Sequence, residues 1–215
     1  MSDGPSSPRT PNPLRGDSAA WNELIEAIGP AALLVRIESR MSDGLKRSTT
    51  PEDIWQETLL HAWRDRERCE WQGPASFRRW LLEIAENRIR DAVDRGGAQK
   101  RSGVAVQTAG SAWRGDGDSA HSSFGGAFAS TTPSRSLAHR EQAELMRSAL
   151  AALAPPLREV VQRRLFEEQG LDEIAAAMGL SHAAVKHRLR KGSILYRERL
   201  RALLGSRSSV SGEKA

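Results

Sequence analysis

Between Thr50 and Arg64 the apolar residues Trp55, Leu59, Ala62 and Trp63 recur at i, i+4, i+7 and i+8, a spacing that fits a helix with one buried stripe rather than a strand. Thr50 is placed to cap that helix, Pro51 suits its first turn, and Asp53 stands where a capping-box acid returns a hydrogen bond. The opposite side carries Asp53, Gln56, Glu57, Leu60 and Arg64. An acid-amide-acid patch of this kind is either a solvated face or a docking face, and periodicity leaves both open. A second stripe follows at Phe77, Trp80, Leu81, Ile84, Ala85 and Ile89, with Arg78, Arg79, Asn87, Arg88 and Arg90 as donors around it.

Helical punctuation of this sort dominates the chain and predicts an all-α protein of two small domains within 215 residues. Residues 1–16, rich in Pro and Ser, read as a disordered tail. Asp17 or Ser18 then caps a helix with Trp21, Leu24, Ile25 and Ile28 at core spacing; Gly29-Pro30 interrupts it, and Leu33, Leu34, Ile37 and Met41 resume the stripe. From residue 102 to 135 the composition turns to Ser, Gly, Ala and Thr, a linker whose ends as a flexible coil would lie on the order of 30 Å apart. Beyond it, Leu145, Met146, Ala149, Leu150 and Leu153 form a helix ending near Pro155-Pro156, and Leu157, Val160, Val161 and Leu165 form the next.

Leu171 to Gly192 has the spacing of a helix-turn-helix: Ile174, Ala175 and Met178 on a short helix, Gly179 at the turn, Leu180 as an apolar plug, and Ser181 capping a helix with Val185 and Leu189 inward. The outer side of that helix carries His182, Lys186, His187, Arg188, Arg190 and Lys191, with no acid before Glu198. Such a helix suits a major groove: the cations hold phosphates, and sequence is read near the helix start by His182, Ala183, Lys186 and His187. A basic amphipathic helix on an ordinary helical domain is the alternative. A net charge of +5 and a pI near 10.0 favour a polyanionic partner.

Catalytic patterns are missing from the sequence. His182 and His187 are five apart and do not align on one helix face for a metal, no Cys/His spacing fits zinc, and no phosphate-binding Gly-rich loop occurs. Gly179-Leu180-Ser181-His182-Ala183 lacks the closing Gly and preceding strand of a nucleophile elbow. The single cysteine, Cys69, the polar N-terminus and the lack of a run of some 20 apolar residues predict a cytoplasmic chain with no membrane insertion.

Asp53-x-x-Gln56-Glu57, Ala62-Trp63 and Phe77-Arg78-x-Trp80-Leu81-x-x-Ile84-Ala85-x-Asn87-x-x-x-Asp91 together resemble region 2 of bacterial sigma factors of the extracytoplasmic-function (ECF) group. Ala149-Leu150-x-x-Leu153-x-Pro155, Arg158-Glu159-Val160-Val161 and the helix-turn-helix resemble region 4, in the right order, and Thr132-Pro133-Ser134-Arg135 looks like the boundary before it. The resemblance implies region 2 over 17–101, region 4 over 136–205 and a disordered tail over 206–215. It implies a sigma subunit with no catalytic residue and no cofactor, which binds core RNA polymerase and promoter DNA and assists strand opening. Asp53, Gln56, Glu57 and Leu60 would then dock on the β′ clamp helices, with the β flap as a second polymerase contact. Trp71, Arg78, Arg79, Asn87 and Arg88 would face the −10 element, the loop 66–76 capturing a flipped base. Ser181, His182, Lys186, His187, Arg188, Arg190 and Lys191 would face the −35 element. An anti-sigma factor is a further family expectation. Glu86, Asp94 and Gly96-Gly97, which interrupts the basic end of the second helix, depart from the family pattern. The competing reading is a helix-turn-helix regulator that binds duplex DNA unaided; a helical adaptor that titrates an anti-sigma factor is more distant.

Overall fold

The computed structural model describes residues 13–102 and 133–211, and every regular element among them is helical. They are α1 (Ser18–Ala27), α2 (Pro30–Arg40), α3 (Asp43–Lys46), α4 (Pro51–Asp65), α5 (Pro74–Ser102), α6 (Pro133–Ala151), α7 (Pro155–Leu165), α8 (Leu171–Met178) and α9 (His182–Ser211), with 3-10 turns at Pro13–Arg15 and Arg66–Arg68. Residues 103–132, most of the expected linker, lie outside the described residues, as do 1–12 and 212–215. The described residues divide into two units, 13–29 with 53–102 and 133–135, and 30–52 with 136–211.

The first unit is organised by aromatic side chains. Of the two proposed caps for α1 it is Asp17 that acts, its carboxylate accepting from the N–H groups of Ala19 and Ala20 at 3.1 and 3.0 Å. The Trp21 ring of α1 meets Trp63 of α4 at 5.3 Å and Phe77 of α5 at 5.6 Å, both edge to face, the arrangement that ring quadrupoles favour. Ile54 and Thr58 are buried beside Trp55, Leu59 and Ala62, so the stripe on α4 is wider than expected. Thr58 is admitted to the core because its hydroxyl donates to the Ile54 carbonyl at 2.7 Å. Leu14, expected in a disordered tail, is buried at 1% exposure. A lone Leu between Pro13 and Arg15 has no periodicity to announce it. Gly96-Gly97 does not break α5, which runs on to Ser102: glycine costs about 1 kcal/mol in a helix but removes no hydrogen bond, whereas proline does.

In the second unit, Arg158 closes the end of α6: its guanidinium donates to the carbonyls of Leu150 (3.1 Å), Ala151 (2.7 Å) and Leu153 (3.0 Å), groups that the end of a helix leaves unpaired. Residues 30–52 fall in this unit, Arg36 donating to the Phe166 carbonyl at 2.9 Å and Arg147 pairing with Glu38 at 2.6 Å. Val160, Ile174 and Val185 form a fully buried cluster that joins α7, α8 and α9, with Leu180 and Leu189 against it. α9 continues through Gly192 to Ser211, past the expected domain end at 205.

Gly192 is there because α9 crosses α7 at close range. A Cβ at this position would stand 2.6 Å from Val161 Cγ2 and 3.3 Å from the Leu157 carbonyl oxygen. Gly192→Ala is therefore expected to lower the unfolding free energy by about 1–3 kcal/mol, overpacking outweighing the gain of about 1 kcal/mol in helix propensity. Urea unfolding followed by circular dichroism checks this, and a stabilised variant would contradict the crossing.

Candidate functional site

α8, the turn and α9 are built by local chemistry. The Glu173 carboxylate accepts from the Gly170 N–H at 2.7 Å, one half of a capping box at the start of α8. At its end Gly179 takes φ 63° and ψ 36°, its N–H reaching the Ala176 carbonyl, while the Leu180 N–H reaches that of Ala175 at 3.0 Å. This pair of bonds is the Schellman motif, and its left-handed residue explains the glycine. The Ser181 hydroxyl then accepts from the Ala184 N–H at 3.2 Å and starts α9. Ser181 is thus a cap in this structure. From that start Lys186, His187, Arg190 and Lys191 project into solvent and Arg188 is half-buried. Among the described residues no hydrogen bond or ion pair holds their side chains; His182 alone has an acid nearby, Asp172 at 3.9 Å, and both are exposed.

The basic residues of α5 are arranged quite differently. Arg78 donates to the Ile28 carbonyl at the end of α1 at 2.7 Å. Arg88 lies between His61 Nε2 of α4 at 3.0 Å and Asp91 at 2.8 Å. Arg90 reaches Asn87 Oδ1 at 2.8 Å and Glu86 at 3.9 Å, so the departing acid Glu86 serves as a counter-ion within the helix. Arg95 pairs with Glu57 at 3.2 Å. Arg79 is exposed and, among the described residues, makes no such bond. Trp71 is half-buried in the loop before α5, its ring 6.2 Å from Phe77, so it leans on its own core while keeping part of its face open.

On α4, Asp53 and Gln56 are exposed and Glu57 and Leu60 are half-buried, all on the side away from Ile54, Trp55 and Leu59. Among the described residues no group of His, Cys, Asp and Glu could hold a metal, and no helix is long and apolar enough to cross a membrane. Burial and then the neighbouring Glu70 push the Cys69 thiol up, away from the thiolate a nucleophile needs.

Comparison with known proteins agrees with this geometry. Sigma-70 region 2 matches residues 31–99, spanning α4 and most of α5, and Sigma-70, region 4 matches 143–193, spanning α7, α8 and the start of α9. The ECF RNA polymerase sigma factor SigL of Mycobacterium tuberculosis is 31% identical over 183 residues, covering 82% of this chain and 88% of SigL. The chain belongs to the ECF sigma factors. Probable RNA polymerase sigma factor RfaY of Xanthomonas campestris pv. campestris is 29% identical over 149 residues, 69% of this chain, and the chain spans 34% of RfaY's length. A solved structure of CnrH in complex with the cytosolic domain of CnrY is 21% identical, covers 90% of this chain and 93% of that one, and superposes with a TM-score of 0.31. Sigma factors are initiation factors rather than enzymes, in keeping with a site made of faces and cations.

In this sigma factor the two positively charged regions differ in one respect that the sequence conceals: α9 keeps its cations open, and α5 answers most of its own. Arg95 and His61 form the missed part, members of a polar seam in which Glu57 and His61 of α4 face Arg88, Asp91 and Arg95 of α5. Their i, i+4 and i, i+3, i+7 spacings were visible on each helix, but not the pairing between helices.

The seam carries a pH dependence. A guanidinium only donates, so His61 Nε2 must accept and the ring is neutral; burial, then the Arg88 and Arg64 cations, hold its pKa below the ordinary 6.5. The unfolded chain takes this proton more readily than the folded one. The stability it contributes is full above about pH 6.5 and is lost as pH falls below that toward the folded-state value. The sigma factor's melting temperature is expected to drop on going from about pH 7.5 to 5.5, and to drop less in His61→Gln, which can still accept from Arg88. An equal drop in both would remove His61 from the account.

Proposed function

We propose that this sigma factor docks on core RNA polymerase through the Asp53, Gln56, Glu57 and Leu60 face of α4, which meets the β′ clamp helices, and that region 4 also meets the β flap. On that footing α9 holds the −35 element, with Lys186, Arg188, Arg190 and Lys191 on phosphates and His182 and His187 near the base edges, Ser181 setting the helix start. Arg79, Asn87 and Trp71, with Arg78 and Arg88 bracing the helices behind them, serve the −10 element, where Trp71 offers a partly open ring to a flipped base. Stacking of that kind is worth about 1–3 kcal/mol per base and helps hold the strand open. The place of action is the cytoplasm, and an anti-sigma partner belongs to the same reading.

The observation that carries the proposal is the row of cations on α9, without ion-pair partners among the described residues, behind a rigid turn, in a chain whose α4 exposes Asp53 and Gln56 beside a half-buried Glu57. A cation without an internal partner is free to neutralise a phosphate. Size-exclusion chromatography of the full chain with core RNA polymerase tests the docking half: co-elution that is lost in Asp53→Ala/Gln56→Ala/Glu57→Ala supports it, and co-elution unaffected by those changes would move the docking face elsewhere.

A further inference from the structure

Arg88 and Arg90 of α5 have carboxylate partners on α5 itself, Asp91 at 2.8 Å and Glu86 at 3.9 Å, and keep them whatever α4 does. Arg95 is different. Its Nε donates to the Asp91 carbonyl of its own helix at 3.3 Å, but its Nη2 lies 3.2 and 3.4 Å from the two carboxylate oxygens of Glu57 on α4. Among the described residues Glu57 is its one ion-pair partner. Glu57 in turn lies in the face assigned above to polymerase docking, and its side chain is 34% exposed.

We propose that Glu57 and Arg95 are a relay that couples polymerase docking to DNA binding by α5. The inference rests on the docking face and the α5 DNA face proposed above. In the free chain Arg95 is neutralised by Glu57, so its guanidinium is engaged rather than open to a phosphate. Docking on a basic surface of the polymerase claims the Glu57 carboxylate. A partly exposed ion pair of this kind is weak and yields to a better-ordered competitor. Arg95 is then left 58% exposed on α5, without its counter-ion, one helical turn past Asp91. A guanidinium in that condition takes up phosphate readily, its planar fork matching two oxygens. Docking and DNA binding therefore strengthen each other through one shared carboxylate, and the coupling runs equally in both directions.

The test uses the full chain and a fluorescently labelled 30-nucleotide single strand of mixed sequence, read by anisotropy at low salt. Glu57→Gln removes the counter-ion and is expected to tighten DNA binding by the free chain about threefold, the value of roughly one added phosphate contact. In an Arg95→Ala background that gain disappears. The same gain in both backgrounds would mean that deleting any acid suffices, and would overturn the relay. The second arm adds core RNA polymerase, with complex formation verified by size exclusion before DNA is introduced. In the complex, Arg95→Ala is expected to weaken DNA binding about threefold and Arg95→Lys to restore it. No effect of Arg95→Ala in a verified complex overturns the relay and leaves the sigma docking intact, whereas failure of the unaltered chain to form the complex overturns both.

Discussion

Lys186→Ala/Arg190→Ala/Lys191→Ala is expected to weaken binding of the full chain to duplex DNA on the order of 100-fold at near-physiological salt, and to flatten the slope of log affinity against log salt by about 3 units. The three side chains are exposed on α9. Among the described residues no ion pair competes for them, so each is available to displace a condensed counter-ion. That release is the source of both the affinity and the salt dependence, and it does not require the preferred sequence to be known. The helix itself should survive, because its inner side is held by Val185 in the cluster with Val160 and Ile174, and alanine favours a helix at every replaced position. Changes at His182 and His187 are expected to alter which duplexes are preferred with little effect on slope. A triple variant with an unchanged slope would show that α9 does not track the phosphate backbone.

The second large effect is expected on α4. Asp53→Ala/Gln56→Ala/Glu57→Ala should lower affinity for core RNA polymerase by roughly 30-fold or more, since truncating charged groups that become buried and hydrogen-bonded in an interface commonly costs 2–5 kcal/mol. The apolar side of α4 is untouched by these changes: Ile54, Trp55 and Leu59 remain in the core. Unaltered melting with lost affinity is the signature of a docking face. Titration of labelled chain with core polymerase separates the two, and a variant that melts early would instead place Glu57 and its pair with Arg95 among the residues that hold α4 to α5.

Much of the architecture could be read from apolar spacing, and where it could not the reasons are physical. The stripes of Trp21, Trp55, Phe77 and Val185 announced their helices because a buried face repeats every three to four residues. Ile54 and Thr58 widened one stripe, and a threonine becomes a core residue only once its hydroxyl has found a carbonyl, here that of Ile54. Leu14 had no neighbours in pattern and so no signal. The glycines at 96–97 suggested an interruption, yet α5 continues; Gly192 gave no sign of its reason, the 2.6 Å approach to Val161 that only a bare backbone allows. On the functional side, the row of cations on α9 was legible because a recognition helix concentrates its charge within one segment. The internal contacts of Arg78 and Arg88 were not, since a cation that caps a carbonyl or bridges to a histidine looks, in sequence, the same as one with no partner within the fold. Arg95 escaped for the same reason: its partner lies 38 residues away on another helix.

In the proposed function one face of α4 enlists the polymerase while α5 and α9 choose where it starts. Transcription from genomic DNA fragments by purified core RNA polymerase of the same source tests it most directly, with the chain either unaltered or carrying Asp53→Ala/Gln56→Ala/Glu57→Ala. Discrete new transcripts are expected with the unaltered chain, and their loss with the variant. Retardation of duplex DNA by the chain alone, with no polymerase binding and no new transcripts, would contradict it.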